Sequence, residues 1–339
     1  MIINIPTSSE FKQSATELLN TAWTQVVDLI IEFEGLIDLV KGDEIAPELT
    51  PDGLNIIRVP QATEVINENS LQYWKASKQT LSIALTLIQQ AVEFYIKGRI
   101  VEISPYLLIS SSISSGGKSN TLKDKPFSEF KSIDAQDLIK VHNTVTSERL
   151  DDSFISWYNE MRDIRNKLMH SVPKDIDLEA EEVLEKILCA HKYFSSSSWT
   201  KDRKAFLSNT PAYSMEYFKR EGNIAPYILN QLYKELEVVL NSLKPSIISE
   251  YFNFRVKDRA LLCPKCIETI NSLDFPPDNY DEYLKSFQGS TIDNNFNCFI
   301  CDYTETINFK DTNCNCCEKF YIEEKTSICL NCWCEEADS

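Results

Sequence analysis

The sequence predicts an all-α protein that carries a separate cysteine-rich module towards its C-terminal end. Glycine is rare, with 8 in 339 residues, and several long segments repeat apolar residues at the i, i+3, i+4, i+7 spacing of amphipathic helices. Ten of the eleven cysteines lie between Cys263 and Cys334, and this clustering indicates a module with its own chemistry.

The helical periodicity and the turn-forming residues define the elements in order. The segments 42–53 and 110–120 have the composition of loops, and Pro105 ends the second long helix. Asp134 is a suitable N-cap for the short helix that follows it. Helices are predicted over 9–40, 70–104, 135–145, 153–170, 178–194, 226–243 and 246–251.

These elements predict four segments along the chain. An N-terminal helical segment is expected to pack on a helical core, a helical connector follows the core, and the cysteine module comes last. The predicted boundaries are 1–64, 65–200, 201–255 and 256–339.

The charge balance argues against a protein that coats nucleic acid through general phosphate attraction. The chain holds 34 Lys and Arg against 51 Asp and Glu, a net charge of −17. The imbalance continues in residues 251–339, with 8 basic and 16 acidic residues. Any RNA would therefore have to meet a local basic site.

No uncharged apolar run reaches the roughly 18 residues that a membrane span needs. The first residues, MIINIPTSSEF, contain no basic region typical of a secretion signal. We therefore expect a cytoplasmic protein without a membrane partner.

The most informative short segment is RNKLMH, residues 165–170, near the end of a predicted helix. Asn166 and His170 lie at i and i+4, so the amide is able to orient the imidazole, and Arg162 falls on the same face one turn earlier. Arg165 is rotated away from His170 by about 140° on an ideal helix. The two side chains would converge if the helix frays at its end, or if a second protomer supplies part of the site.

A purely structural interpretation of the same residues is that Arg165 pairs with a carboxylate and His170 caps the helix C-terminus, where a cation is favourable. His142 and His191 are also interpreted as structural, since neither has recognised metal-ligand spacing with Cys189.

RNKLMH near the end of a long amphipathic helix, together with the earlier helix ALTLIQQAVEFYIKGRI, resembles the HEPN family of all-α ribonucleases. The resemblance covers about residues 65–200 and implies an HEPN-like helical bundle, here with extra helices. It implies catalytic roles for Arg165, Asn166 and His170. Arg162, which falls on the same face as Asn166 and His170, is predicted to bind the substrate.

The resemblance also implies metal-independent cleavage of RNA in a homodimer, as a toxin or an antiviral (anti-phage) defence effector. Some relatives have a tyrosine two residues beyond the histidine where this chain has Val172, so a variant modified at that tyrosine is not expected.

The chemistry fits these residue types. Cleavage through the 2′-hydroxyl needs a base, an acid and a cation at the crowded phosphate. His170 suits either proton role, and Arg165 offers a fixed fork of donors to phosphate oxygens. One histidine cannot serve as acid and base at once, so two facing copies are expected to form the site.

Four CxxC pairs give the strongest motif on chemical grounds. Each pair can place two thiolates on one tetrahedral ion, so eight ligands predict two structural Zn²⁺ sites in a double zinc ribbon. Disulfides are the poorer alternative in a cytoplasmic chain. The spacing leaves open which pairs combine and whether Cys316 and Cys334 are substitute ligands or free thiols. The predicted ligands are Cys263, Cys266, Cys298, Cys301, Cys314, Cys317, Cys329 and Cys332.

Each four-thiolate zinc site carries a charge of about −2, which deepens the acidity of the module. Structural or dimer support, or recognition of an antitoxin, a trigger or a complex subunit, is therefore favoured over nucleic-acid binding. Two rival functions stay open: a non-catalytic helical dimer that binds a protein or RNA partner, and an adaptor whose function lies wholly in 256–339.

Overall fold

The chain is described here from a computed structural model, and it divides into two compact units, Met1–Phe194 and Ser195–Ser339. The predicted loop at 110–120 lies outside the described residues except for its first position. The structure describes residues 1–43, 45–50, 53–58, 62–110, 124–170, 178–215, 225–252, 261–272, 289–292 and 295–335.

Five helices build the first unit over the residues that the structure describes. They are α1 (Ser8–Asp43), α2 (Ala62–Ile103), α3 (Ala135–Val145), α4 (Asp152–His170) and α5 (Ala180–Phe194). Two short 3₁₀ turns, Pro105–Leu108 and Phe127–Glu129, follow α2. The strand β1 (Ile2–Ile3) pairs in parallel with β4 (Lys125–Pro126).

The connection between α1 and α2 differs from the prediction. In place of a loop over 42–53, the strands β2 (Ile45–Thr50) and β3 (Gly53–Arg58) form an antiparallel ribbon, with Thr50 opposite Gly53. Pro47 is tolerated because a two-stranded ribbon has a free edge, where a missing N–H donor is not needed. The helix α2 also begins at Ala62, eight residues before the predicted start.

The core of the first unit is the long seam between α1 and α2. Trp23 and Leu19 of α1 and Leu85 and Ile88 of α2 are fully buried, each 0% exposed. The helices α3, α4 and α5 pack against α2, and α5 also contacts α1. A stripe of apolar residues at helical spacing therefore produces the bundle that holds α4 in place.

The described residues of the second unit include four helices and a small sheet. The helices are α6 (Trp199–Ser208), α7 (Ala225–Ser242), α8 (Pro245–Tyr251) and α9 (Pro264–Asn271). The sheet is antiparallel, in the order β5 (Gly289–Ile292), β6 (Asn295–Cys298) and β7 (Thr304–Thr306).

The helix α6 was not predicted, because the residue that anchors it is charged. Arg203 is 1% exposed and donates from Nε and Nη2 to the two carboxylate oxygens of Glu235 on α7, both at 2.8 Å. Gln231 also donates to Glu235, at 3.2 Å. A prediction from apolar periodicity assigns charged residues such as Arg203 to the surface. In the structure the buried ion pair satisfies the polar atoms of Arg203 and Glu235 instead.

The predicted predominance of helix is confirmed, with little sheet and two groups of four cysteines near the C-terminus. Within the described residues, no helix combines the length and the apolar character needed to cross a membrane.

Candidate functional site

The helix α4 carries the predicted arginine and asparagine residues in a half-buried position. Arg162, Arg165 and Asn166 are each partly covered, whereas their neighbours Asp163 and Lys167 are exposed. The Nη1 of Arg165 donates to Oδ1 of Asn166 at 3.2 Å. The amide oxygen of Asn166 thus accepts a hydrogen bond from Arg165. Its predicted role of orienting His170 concerns a side chain outside the described residues and stays a prediction.

Neither arginine has a carboxylate partner at salt-bridge distance among the described residues, which stop at 170 and resume at 178. The Nε of Arg162 is buried and has no hydrogen-bond partner there either. A half-buried guanidinium normally finds an acceptor, because taking the charge out of water is costly. Two such groups on one turn of a helix make a site that favours an anion.

A polar seam extends this site inward between α4 and α2. The Tyr158 hydroxyl, one turn before Arg162, is buried without a partner in the described part of the chain, and the same holds for Oε1 of Gln89 on α2. Gln89 donates to the carboxylate of Glu93 at 3.2 Å. Burial, and then the negative charge of Glu93, raises the pKa of Tyr158, whereas Arg162 acts in the opposite direction.

The Tyr158 hydroxyl therefore stays protonated at neutral pH and acts as a donor. The unpaired atoms of the seam call for a bound water or a ligand atom. We did not predict this seam from the sequence. The sequence signal for the seam is the i, i+4 spacing from Tyr158 to Arg162. The same spacing is found where a tyrosine simply packs in the core of an amphipathic helix, so it does not identify the seam.

His170 is the last residue of α4. Its side chain lies outside the described part of the structure. Because α4 is helical to its end, Arg165 and His170 of one copy are separated by about 140° around the axis.

His142 is fully buried in α3, and its Nδ1 lies 3.0 Å from Oδ1 of Asn143. Its Nε2 has no partner among the described residues. Burial lowers the pKa of His142, and the charge of Arg99 lowers it further. His142 and His191 belong to no group of metal-binding side chains in the described ranges.

The eight predicted cysteine ligands form two groups of four, in which all sulfur atoms of a group lie within 4.8 Å of one another. The pairing, which the spacing had left open, is sequential. The first group contains Cys263, Cys266, Cys298 and Cys301, and the second contains Cys314, Cys317, Cys329 and Cys332.

The sulfur geometry fits a tetrahedral ion. In the first group Cys263 and Cys301 are 3.6 Å apart and Cys266 and Cys298 are 3.7 Å apart, measured between Sγ atoms. Two corresponding Sγ pairs in the second group are both 3.6 Å apart. A zinc ion with bonds of about 2.3 Å holds its sulfur ligands about 3.8 Å apart, whereas a disulfide is about 2.05 Å long. Each group can therefore hold one metal ion.

The backbone turns of three CxxC pairs support the same conclusion. The residue after the second cysteine is Asp302, Glu318 or Trp333, with φ of 59°, 58° and 61°. Each donates its N–H to the carbonyl of the first cysteine of its pair, at 2.9, 2.8 and 2.7 Å. This left-handed turn folds each pair so that both sulfurs point to one place. Glycine is the usual residue for such a turn, and its absence hid this feature from the sequence.

The first group is set against the helices of the second unit. The helix α7 packs against α9, which carries Cys266. The Ser198 hydroxyl, which caps α6, donates to the Asp302 carboxylate at 2.9 Å. Burial and the charges of Cys266 and Cys298 raise the pKa of Tyr233 on α7 well above its ordinary value.

The four thiols of the first group cannot all ionise without a cation. Hydrogen bonds, chiefly from Cys263, lower the pKa of Cys301, while burial raises the pKa of Cys298. A metal ion that binds here displaces the thiol protons, so that all four sulfurs can act as ligands. This donor set fits a soft, tetrahedral ion such as Zn²⁺.

Cys316 and Cys334 lie next to the second group but belong to neither. Cys316 is exposed, and its N–H donates to Sγ of Cys314 at 3.4 Å. Cys334 packs against the buried side chains of the second group.

Comparison of the chain with protein-family models, with curated proteins and with solved structures gave no match.

Proposed function

We propose that the chain is a metal-independent endoribonuclease that cleaves RNA through its own 2′-hydroxyl. The observation that carries the proposal is the pair of half-buried guanidinium groups on α4, Arg162 and Arg165, which have no carboxylate partner among the described residues. A phosphate supplies the missing negative charge in a geometry that suits the arginine fork.

The proposed reaction needs three functions at one phosphate. A base takes the proton of the 2′-hydroxyl, whose oxygen attacks phosphorus, and an acid protonates the departing 5′-oxygen. His170 is the residue of this segment that titrates near neutrality, so it fills the proton-transfer roles. Arg165 and Arg162 stabilise the extra negative charge on the phosphate oxygens in the transition state.

Two copies of the chain complete the site in this proposal. A single histidine cannot hold a proton and lack it in the same step. Arg165 and His170 also lie on different sides of α4, which continues to His170. A homodimer in which α4 of one copy faces α4 of its partner supplies both proton states and both arginines.

The second unit is proposed to hold two structural Zn²⁺ ions and to take no part in the chemistry. The sulfur separations of 3.6–3.7 Å support zinc as the metal. The role as a toxin or an anti-phage effector, held in check by an antitoxin, a trigger or a larger complex, follows from the HEPN resemblance.

The experiment is to incubate the purified full chain with total RNA and with tRNA in the presence of EDTA. Cleavage is expected to leave 2′,3′-cyclic phosphate and 5′-hydroxyl ends. The His170→Ala variant should lose the activity, because the imidazole is the side chain that can both accept and release a proton near neutral pH.

Lys167→Ala, a change at an exposed position three residues before His170, is the matched control and should cleave like the wild type. Equal cleavage by His170→Ala and Lys167→Ala would contradict the assignment of His170. Ends that carry 3′-hydroxyl groups would contradict attack by the 2′-oxygen.

A further inference from the structure

The second unit contains a cleft between the helix that carries the first CxxC pair and the segment that carries the last. Its volume is about 660 Å³. Both of its walls are built by the segments that hold the two cysteine groups. Its lining includes Ile267, Glu268, Tyr303, Glu323, Ile328 and Trp333.

The walls of the cleft are tied to each other. The N–H of Leu262, next to the first cysteine, donates to the carbonyl of Leu330, between two cysteines of the second group, at 2.7 Å. Lys325 bridges to Glu305 at 2.8 Å. With a metal ion in each group the cleft is preformed, so a partner pays little conformational entropy to fill it.

Trp333 is the unusual residue of this surface. Its φ of 61° lies in the left-handed region, where a bulky side chain is strained. Asp302 is in the equivalent position of another pair, and there the side chain gains a hydrogen bond from Ser198. Trp333 instead places a half-exposed indole in the cleft. The left-handed turn that Trp333 shares with Asp302 and Glu318 thus fixes the position of the indole in the cleft.

The electrostatics of the cleft favour a cation. Residues 251–339 hold 8 Lys and Arg against 16 Asp and Glu. Each tetrathiolate zinc site adds a charge of about −2 on either side. The Glu323 carboxylate is 6% exposed at the cleft wall, where it accepts a hydrogen bond from Thr326 at 2.6 Å. Glu268, across the cleft, is paired with Lys265.

We propose that this cleft binds a basic, extended peptide segment of a protein partner. A lysine or arginine side chain packs on the face of Trp333 with its charge directed towards Glu323, and an apolar neighbour covers Ile267 and Ile328. The phosphates of RNA are repelled by the same charges. The assignment stands independently of RNA cleavage, because every residue that carries it lies in the second unit.

The test uses the full chain with both metal sites loaded. Fluorescein-labelled peptides in which lysine alternates with leucine or alanine are the probes, and binding is followed by fluorescence anisotropy at low and at high salt. We expect the lysine peptides to bind at least about tenfold more tightly than peptides with glutamate in place of lysine, and to weaken with salt. Lack of binding up to about 1 mM overturns the proposal.

Two variants locate the site. Trp333→Gly removes the indole and relieves the strained backbone, so it should keep both metal ions and weaken lysine-peptide binding by about tenfold. Glu323→Gln keeps the shape and removes the charge, and it should weaken binding in the same direction. Phe320→Ala is the matched control, because Phe320 is an exposed aromatic residue, 58% exposed, that does not line the cleft.

Equal losses in Trp333→Gly and Phe320→Ala overturn the location of the site. Single-stranded RNA that displaces the lysine peptide and binds more tightly overturns the class of partner.

Discussion

The α4 site and the two cysteine groups satisfy their polar atoms in opposite ways. On α4, Arg162 and Arg165 lie half-buried without a carboxylate partner among the described residues. In the cysteine groups, every predicted ligand lies within 4.8 Å of the other members of its group. The difference indicates what each region requires from outside the chain. In the proposed function the first region binds an anion transiently, whereas the second can hold a metal cation permanently.

A single substitution is expected to affect folding most strongly in the two cysteine groups. Cys263→Ser or Cys329→Ser should lower the metal content from two ions to one per chain and open the second unit to proteolysis. The reason is that structural zinc contributes on the order of 10 kcal/mol to the folding of small metal-bound modules. Elemental analysis and limited proteolysis measure both effects.

Cys316→Ser is the control for this change, since Cys316 is exposed and lies outside both groups. It should keep two metal ions. Loss of an ion in this variant would show that the ligand sets differ from the sequential pairing.

The ion pair between Arg203 and Glu235 comes next in expected effect. Glu235→Ala leaves a fully buried guanidinium without its carboxylate, and it should destabilise the second unit by about 3–5 kcal/mol in chemical denaturation. This pair contrasts with the arginines of α4. Arg203, a buried arginine with a structural role, has a carboxylate partner, whereas the arginines of α4 have none among the described residues.

Glu268→Ala breaks an exposed ion pair, with Lys265, and serves as its control. The free energy of unfolding should change little in that variant. A similar loss of stability in both variants would mean that burial does not determine how much each ion pair contributes to the free energy of unfolding.

His142 should produce the smallest effect, and its sign follows from the lowered pKa. In the unfolded chain the imidazole takes up a proton near its ordinary value of 6.5, whereas the buried imidazole resists protonation until lower pH. The stabilisation from the neutral, buried form is complete above pH 6.5 and is lost as the pH falls below that value. The protection factors of the α3 amides, which are corrected for the intrinsic pH dependence of hydrogen exchange, should therefore fall on acidification.

His142→Gln removes this titration, so the protection factors of α3 should fall less on acidification in the variant than in the wild type. Protection factors that fall equally in both proteins would assign the acid sensitivity to other groups.

The limits of prediction from the sequence follow from what determines each element. Local signals were sufficient where one helix buries an apolar stripe: α3 spans the predicted 135–145, and α4 ends at the predicted His170. Asp134 is the N-cap of α3, as predicted, although its side chain makes no capping hydrogen bond.

Elements and contacts that depend on a distant partner were missed. The helix α6 depends on Arg203 meeting Glu235, which is 32 residues away, and the pattern of α6 alone does not contain that partner. The seam of Gln89, Glu93 and Tyr158 depends on the packing of α2 against α4. The pairing of the cysteines was open for the same reason, since spacing within a CxxC pair does not select the other pair. The four predicted segment boundaries remain a prediction.

The most direct test of the central claim compares two arginine variants in the RNA cleavage assay. Arg165→Ala removes a half-buried guanidinium without a carboxylate partner in the described structure, and Arg149→Ala removes an exposed one on the segment before α4. We predict that Arg165→Ala lowers the cleavage rate about 10²–10³-fold with an unchanged helical content, whereas Arg149→Ala cleaves like the wild type. Equal rates for the two variants, in a preparation where the wild type is active, would contradict the claim that α4 holds the scissile phosphate.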